Sequence, residues 1–175
     1  MVRSLTTANV IEWEWSRVVY RAKIPSMEVL TTVKRFWTCD EAAVAVFTCE
    51  IVALDHIRHW NIVQLLGWAA NHRTRLLFYD YLPNRILGDL LHGGGGPVVE
   101  WEVRLDIAIG VTEGLTYLHY DCIPPILHHD IKADNILLGE RYEAYLMDFG
   151  LANVVDDSTA VGRGNFILKR NRAFG

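Results

Sequence analysis

The sequence has little of what marks a secreted, metal-stapled or membrane-spanning protein. Its three cysteines, Cys39, Cys49 and Cys122, are scattered and odd in number, which argues against a disulfide framework or a zinc knuckle. No apolar run approaches the ~18 residues needed to cross a bilayer. The first residues also lack the sustained apolar stretch of a secretory signal. These absences favour a reducing, cytoplasmic setting.

The sequence also lacks a basic excess. Its 17 Lys and Arg against 21 Asp and Glu give a net charge of -4. We therefore expect neither a nucleic-acid partner nor attraction to an anionic membrane. Apolar residues, by contrast, are abundant at 51%, which indicates a globular protein with a core. A length of 175 residues suits one ordinary domain, or one lobe and part of another.

The first eighty residues predict a small sheet with one helix inserted among its strands. Short β-branched or apolar runs predict the strands, at residues 18–23, 29–36, 62–67 and 76–79. Between the second and third runs, apolar residues recur at three- and four-residue steps. They predict one face of a helix, made of Val44, Phe47, Ile51 and Leu54.

The second half predicts one long helix over residues 99–119, followed by loops. Its main apolar face is predicted to contain Trp101, Leu105, Ala108, Val111, Leu115 and Leu118. Val103 and Ile107 add a second apolar edge, so this helix needs burial on more than one side. The four glycines before Pro97 predict a flexible loop. The stretch 162–175 carries four basic residues and no acid, and predicts a poorly ordered tail.

The strongest chemical signal is a set of polar residues in a compact order. His128, Asp130, Lys132 and Asn135 lie close together, and Asp148 follows thirteen residues after Asn135, directly before Phe-Gly. Phosphoryl transfer from a nucleotide needs a carboxylate near the attacking hydroxyl, oxygen ligands for Mg²⁺ and a cation on the phosphates. These residue types supply that set. Two unrelated polar loops would explain either motif alone, but the pair in this order disfavours that alternative.

The order His-x-Asp-x-Lys-x-x-Asn followed by Asp-Phe-Gly resembles the catalytic and metal loops of protein kinases. Lys132 at its position resembles the serine/threonine-specific branch. Three further segments are similar to plant receptor-like kinases of the leucine-rich-repeat class, at residues 61–67, 77–84 and 114–119. The resemblance runs from about Asn9 to Ala152.

The resemblance implies an α+β, protein-kinase-like fold. A small upper lobe of antiparallel sheet plus one helix, with the hinge, would occupy residues 1–82. An incomplete, mainly helical lower lobe carrying the catalytic and metal loops would occupy residues 83–155, and a divergent tail residues 156–175. The implied reaction is ATP-dependent phosphorylation of Ser or Thr on a protein substrate. Full-length relatives would be plasma-membrane receptors with a cytoplasmic kinase domain.

The resemblance also assigns catalytic roles to four residues. Asp130 would orient the substrate hydroxyl and accept its proton, and Lys132 would neutralise the transferring phosphate. Lys34 would hold the nucleotide phosphates and pair with Glu50, so these two side chains should face each other across the cleft. A surface strand lysine and a solvated helix carboxylate are the plainer alternatives for that pair.

The remaining implied site residues bind the nucleotide and its metal. Asn135 and Asp148 would hold Mg²⁺, with their side-chain oxygens close together and Asp130 nearby. The adenine pocket, besides Lys34 at the phosphates, would consist of Val19 above the ring, Leu137 below it, Tyr79 at the back, and the hinge from Asp80 to Leu82. Each apolar member, Leu137 above all, also fits an ordinary core position.

The glycine-rich loop of the family is missing from this sequence. Glu12, Glu14 and Arg17 stand where Gly-x-Gly-x-x-Gly would have its three glycines. Glycine lets the backbone approach phosphate closely. Each glutamate instead repels a polyanion, by roughly 1 kcal/mol per unit pair at ~4 Å in water. Arg17 offsets part of this repulsion; alternatively, the loop swings away and the carboxylates face solvent.

Other positions also depart from the family pattern. Thr32 replaces an alanine and sets a larger polar side chain against adenine. His129 replaces an arginine and is mostly neutral at pH 7, so control by activation-segment phosphorylation is not expected. Beyond Ala152 the sequence has no Ala-Pro-Glu motif, so we expect a truncated domain without a peptide shelf. His56 and His59 lack further ligands and are not expected to hold a metal.

Three functional hypotheses remain open from the sequence. The first is a serine/threonine kinase domain fragment of weak or absent activity. The second is a pseudokinase-like module that binds nucleotide or protein, and the third is a non-functional gene fragment. Retention of Lys34, Glu50, Asp130, Asn135 and Asp148 favours the first hypothesis, whereas the missing glycines favour the other two.

Overall fold

The computed structural model describes residues 5–13, 17–24, 29–37, 41–72, 74–82, 86–93 and 99–155. Glu14, most of the four-glycine run and the predicted tail from residue 156 lie outside these ranges. The described residues form a five-stranded sheet with one helix, followed by a part built from helices and two small two-stranded sheets. The α+β expectation is therefore confirmed.

The sheet is entirely antiparallel, with strand order β1-β2-β3-β5-β4. Its strands are β1 (Val10–Trp13), β2 (Arg17–Ile24), β3 (Val29–Trp37), β4 (Leu65–Ala70) and β5 (Thr74–Asp80). The predicted hairpin of β2 and β3 is present, in the register Arg17 opposite Phe36. The predicted strand over residues 62–67 was placed too early, because Ile62 instead forms a single parallel bridge to Leu146.

Helix α1 (Glu41–Leu54) lies between β3 and β4 in the chain, as predicted. Its buried face is displaced from the prediction, because Val44 and Ile51 are only half-buried. The buried positions are Ala43, Phe47, Glu50, Ala53 and Leu54. A carboxylate therefore occupies the face that apolar spacing assigned to aliphatic residues, and its partner lies in β3.

Helix α3 (Trp101–Thr116) continues into a wider turn, Tyr117–Asp121. The predicted main face is wrong in its first half, since Trp101 and Leu105 are exposed, whereas Leu118 is buried as predicted. The buried line contains Ile107, Gly110, Gly114 and Leu118. The two glycines explain the rotation, because they allow close packing: a Cβ on Gly110 would lie 2.7 Å from the side-chain nitrogen of Asn61.

Short elements set the remaining loops in place. Helix α2 (Leu87–His92) was not predicted, and a 3-10 turn spans Ala133–Asn135. Four short strands form two two-stranded sheets, β6 (Ile126–Leu127) with β9 (Asn153–Val154) and β7 (Ile136–Leu138) with β8 (Ala144–Leu146). The β6–β7 loop carries residues 128–135 and the β8–β9 loop carries residues 147–152. The strand pairing brings these two loops together.

One continuous hydrophobic core joins the sheet to the lower part. It includes Phe36 and Leu77 from the sheet, Phe47 from α1, and Leu146 and Phe149 from the lower part. A smaller cluster on the other face of the sheet contains Val18, Tyr20, Ala22 and Val33. Within the described ranges, none of the helices combines the length and apolarity that a bilayer crossing needs.

Candidate active site

A cavity of about 330 Å³ lies between the sheet and the lower part. Its walls contain every residue predicted to contact the nucleotide: Val19, Lys34, Tyr79, Asp80, Leu82 and Leu137. A more open hollow of about 510 Å³ lies on the outer side of α3, next to His59 and Leu105. None of the predicted site residues lines that hollow, so the cleft under the sheet is the candidate site.

The apolar part of the cleft lies between strands of the two halves. Val19 comes from β2 and Leu137 from β7. Tyr79 lies opposite Thr32 across β3 and β5, which places both at the back of the cavity. Asp80 to Leu82 complete this wall where the chain leaves the sheet. The cavity can therefore hold a flat ring between two aliphatic side chains.

Sequence reasoning missed several wall residues, Ile11, Val63, Ile86, Asp89 and Met147. Ile86 forms an isolated antiparallel bridge to Leu137, which brings the start of α2 to the lower wall. Its position depends on a contact between residues 51 positions apart. No local motif in the sequence indicates such a contact.

A buried ion pair joins β3 to α1. The ammonium of Lys34 donates a hydrogen bond to Glu50, and the hydroxyl of Tyr79 donates one to the other carboxylate oxygen of Glu50. The predicted facing of Lys34 and Glu50 is present, with both side chains buried. Burial raises the pKa of Glu50, and the positive charge of Lys34 partly opposes that rise. Burial and the neighbouring Glu50 raise the pKa of Tyr79 well above its usual value, so its hydroxyl remains a donor.

Gly150 lets the metal loop approach α1. A Cβ at Gly150 would lie 2.5 Å from a methyl carbon of Val46 and 3.5 Å from a carboxylate oxygen of Glu50. Phe149, directly before it, is fully buried and packs against the His128 ring at 4.5 Å between centroids. The Asp-Phe-Gly segment is therefore fixed from both sides, and Asp148 is held beside Lys34.

The carboxylate of Asp148 has two cationic partners. Lys34 Nζ lies 3.0 Å from Oδ1, and Arg17 binds both oxygens, with Nη1 3.0 Å from Oδ1 and Nη2 2.7 Å from Oδ2. The backbone of Asp148 lies in the left-handed region, with φ 63°. Burial alone would raise the pKa of Asp148, but Lys34 and Arg17 together hold it well below its usual range. Asp148 is therefore an anion whose charge is already compensated.

Asp130, Lys132 and Asn135 form a second cluster in the β6–β7 loop. Asp130 Oδ2 accepts hydrogen bonds from Lys132 Nζ at 2.9 Å and from Asn135 Nδ2 at 2.8 Å. Asn135 Nδ2 also donates to the backbone oxygen of Asp130 at 2.9 Å. The hydrogen bond from Lys132 is the main cause of the lowered pKa of Asp130. Asp130 therefore stays ionised and can accept a hydrogen bond from a hydroxyl.

Backbone contacts connect this cluster to the metal loop. Met147 N donates to Asn135 O at 3.0 Å, and His128 Nε2 lies 2.9 Å from Met147 O. His128 Nδ1 accepts from Asp130 N at 3.3 Å, so the ring proton is on Nε2. His128 is a positioning residue. The sequence analysis placed it in the motif but assigned it no role. Its burial lowers its pKa, which keeps the ring neutral.

The residues predicted to hold Mg²⁺ fit a magnesium site by donor type. Asn135 offers an amide oxygen and Asp148 a carboxylate, and Mg²⁺ prefers oxygen ligands. The amide nitrogen of Asn135 faces Asp130, while Asp148 faces Lys34 and Arg17. Direct closeness of the Asn135 and Asp148 side-chain oxygens remains a prediction. The distinctive feature is that Arg17 already covers both oxygens of Asp148.

His56 and His59, which are not expected to hold a metal, have other contacts. His56 is exposed and its ring lies 3.3 Å from the carboxylate of Asp55. His59 Nδ1 accepts a hydrogen bond from Asn61 N at 3.1 Å, and its ring stacks on Tyr117. His59 thus stabilises the turn after α1.

Comparison with known proteins places this geometry in context. The family profile described as "Protein kinase domain" matches residues 17–168. The leucine-rich repeat receptor-like serine/threonine-protein kinase RGI4 of Arabidopsis thaliana is 54% identical over 157 residues, and the LRR receptor-like serine/threonine-protein kinase RGI3 of the same plant is 53% identical over 156. Both alignments cover 89% of this chain and 14% of the relative.

A relative from rice extends the comparison. The LRR receptor-like serine/threonine-protein kinase SIK1 of Oryza sativa subsp. japonica is 40% identical over 156 residues, covering 89% of this chain and 16% of that protein. The chain therefore spans about a seventh of the length of the curated relatives it matches.

Proposed function

This chain belongs to the protein kinase domain family, and we propose that it is a serine/threonine kinase domain portion that binds ATP in the cleft under its sheet, where Asn135 and Asp148 are the residues that would hold Mg²⁺. The observation that carries the proposal is the line of contacts from Glu50 through Lys34 to Asp148. It joins α1, β3 and the metal loop at the cavity and holds one buried ammonium between two carboxylates. A cation held in this way suits the phosphate oxygens of a nucleotide.

In this proposal the adenine ring lies between Val19 and Leu137. The hinge backbone from Asp80 to Leu82 runs along its edge, and Tyr79 closes the back. These residues line one cavity. The phosphates extend from there towards Lys34, where its Nζ lies 3.0 Å from Asp148.

The lower cluster performs the transfer. The oxygen of a Ser or Thr hydroxyl attacks the γ-phosphorus while the bond to the departing ADP oxygen breaks. Asp130 orients that hydroxyl through a hydrogen bond and receives its proton, and Lys132 neutralises the transferring phosphate. Asn135 and Asp148 are the residues that would hold Mg²⁺, which supplies charge neutralisation on the phosphate oxygens when bound.

The setting of the chain is proposed from its relatives. Their names describe receptor-like serine/threonine kinases, so we assign a protein substrate and a cytoplasmic position beside the plasma membrane. We also keep the proposed division into an upper lobe with hinge to residue 82 and a partial lower lobe over residues 83–155. The assignment of residues 156–175 as a divergent tail stays a prediction.

Within this proposal, we expect phosphoryl transfer by this chain to be weak or absent. Glu12 lines the cavity on the side where the phosphates would lie, and Arg17 covers the carboxylate of Asp148. A pseudokinase-like module that binds nucleotide without transferring phosphate is the second candidate. The Arg17–Asp148 ion pair is the observation that favours it.

Thermal unfolding of the purified chain in an ATP titration with Mg²⁺ tests this proposal. Cooperative unfolding with a Tm that rises with ATP supports it, and Lys34→Met should abolish the rise while exposed Lys23→Met retains it. Circular dichroism of each variant checks that it folds. A flat Tm in the unmodified chain contradicts nucleotide binding, and the lack of any cooperative transition favours the gene-fragment hypothesis.

A further inference from the structure

Arg17 is the first residue of β2, and it reaches a residue 131 positions further along the chain. Its guanidinium makes a two-pronged contact with Asp148, using one nitrogen for each carboxylate oxygen. The side chains are 15% and 13% exposed, so solvent screens this pair only in part. The resemblance predicts a glycine at this position, and glycine could make no such contact.

The pair changes what Asp148 can do. A planar guanidinium matches both oxygens of a carboxylate, and such bidentate pairs are among the stronger hydrogen bonds in proteins. Lys34 already uses Oδ1 at 3.0 Å. A divalent ion would need the same carboxylate oxygens at about 2.0–2.1 Å. It therefore competes with Arg17 for Asp148.

The pair also sets the charge of one ion-pair network in the cleft. Three further acidic side chains line the cavity, Glu12, Asp80 and Asp89. Arg17, Lys34, Glu50 and Asp148 all line the cavity and form one connected network. Two positive and two negative side chains sum to zero. Without Arg17 the same network would carry one net negative charge, which disfavours a polyanionic ligand unless an added cation compensates it.

We propose that Arg17 is a resident cation that takes the place of the divalent metal at Asp148, so that adenine nucleotide binding in the cleft does not depend on Mg²⁺. The inference rests on the proposed nucleotide site and concerns how that site balances charge. Guanidinium groups also suit phosphate oxygens. Arg17 thereby converts a metal-dependent site into one that carries its own counter-charge.

Calorimetric titration of the purified chain with ATP, once with Mg²⁺ and once with EDTA, tests this inference. For the unmodified chain the two Kd values should agree within about threefold. In Arg17→Gln, Mg²⁺ should tighten binding by about tenfold or more, because Asp148 is then open to the metal. Arg21→Gln is the matched control, since this exposed arginine lies on the same strand and outside the cavity.

A second measurement follows the metal alone. Electron paramagnetic resonance of added Mn²⁺, without nucleotide, should show binding to Arg17→Gln and little binding to the unmodified chain. Arg17→Lys retains a cation but loses the two-pronged guanidinium contact, so its Mn²⁺ binding should lie between that of the other two proteins. This variant keeps the test open if Arg17→Gln folds poorly.

The outcomes separate the two proposals. An unmodified chain whose ATP affinity needs Mg²⁺ overturns the inference and leaves the proposed nucleotide site standing. If the Kd of Arg17→Gln for ATP is also the same with and without Mg²⁺, the inference is overturned, since Arg17 would then not be the cause. Failure of every folded variant to bind ATP under either condition overturns the inference and the nucleotide site together.

Discussion

At the residue scale, Glu50 shows how a buried carboxylate is held by neighbouring donors. Its carboxylate is almost fully buried, and it accepts hydrogen bonds from Lys34 and Tyr79. An isolated carboxylate in such a place would be costly, so each donor offsets part of the desolvation cost. Removing either donor should therefore be felt in the stability of the whole domain.

Tyr79→Phe tests the contribution of the phenol hydroxyl. It leaves one oxygen of Glu50 without this donor, so the free energy of unfolding should fall by about 1–3 kcal/mol. Urea denaturation measures the change. Tyr120→Phe is the control, because Tyr120 is exposed and should lose less than about 0.5 kcal/mol. Equal losses in the two variants would show that the Tyr79 hydroxyl has no special role.

His128 predicts a dependence of stability on pH. Its pKa is lowered by burial, whereas the unfolded chain should titrate near ~6.5. The unfolded state therefore binds the proton more readily, so stability is full above about pH 7 and falls as pH drops through the unfolded value. Denaturation between pH 8 and 5 should show this fall. It should be smaller in His128→Gln and unchanged in exposed His72→Gln.

The family resemblance predicted several contacts that the candidate site contains. Lys34 and Glu50 meet as the motif implied, and Asp130 lies with Lys132 and Asn135. The Arg17 contact could not be predicted in detail, because it joins distant residues and lies where the motif expects glycine. The sequence shows that an arginine replaces the glycine of the motif, but it does not show which residue that arginine contacts.

At the element scale, the packing of the Asp-Phe-Gly segment under α1 depends on one absent side chain. Gly150 lies so close to Val46 that an added Cβ would stand at 2.5 Å from it. A methyl group there must push α1 away from the segment, and α1 carries Glu50. The helix position and the ion pair are therefore coupled through Gly150.

Gly150→Ala should lower stability by about 1–3 kcal/mol, because the added methyl group overpacks the contact with α1. Val46→Ala in the same chain should restore part of the loss by removing the clashing methyl groups. A double-mutant cycle from urea denaturation measures the coupling. Additive losses would mean that Gly150 and Val46 do not limit each other.

Periodicity predicted which elements exist better than which faces they bury. The strands β2, β3 and β5 and the helices α1 and α3 follow the sequence pattern. The face of α3 was misassigned, because Gly110 and Gly114 add no hydrophobicity to a pattern and yet define the closest approach to Asn61. Helix α2 has only six residues and was too short to show a period.

At the scale of the whole molecule, charge in the cleft sets the expected level of catalysis. Transfer depends mainly on positioning and charge stabilisation. The lower cluster around Asp130 is assembled, whereas the upper side carries Glu12 and an Arg17 bound to Asp148. Binding and transfer should therefore respond differently to repair of the upper side.

We expect the purified chain to phosphorylate a generic protein substrate orders of magnitude below the ~1 s⁻¹ of ordinary kinases. Glycine at positions 12, 14 and 17 together should improve ATP affinity in Mg²⁺ about tenfold without restoring transfer. Radiolabel transfer and calorimetry measure the two effects. Transfer near ~1 s⁻¹ that Asp130→Ala abolishes would contradict this expectation.

Strand β1, which lines the upper side of the cleft, has few contacts with the rest of the sheet. Strand β1 has four residues, pairs with β2 alone, carries a register shift beside Glu12 and leaves Ile11 and Trp13 exposed. Fraying of such an edge strand requires no loss of the central core. Amide hydrogen exchange should therefore be fast in β1 and slow in β3 and β5. Added ATP should slow the exchange in β1 and leave that in β3 and β5 unchanged. Ligand entry then requires only that a short edge strand lift from its neighbour, while the rest of the molecule stays folded.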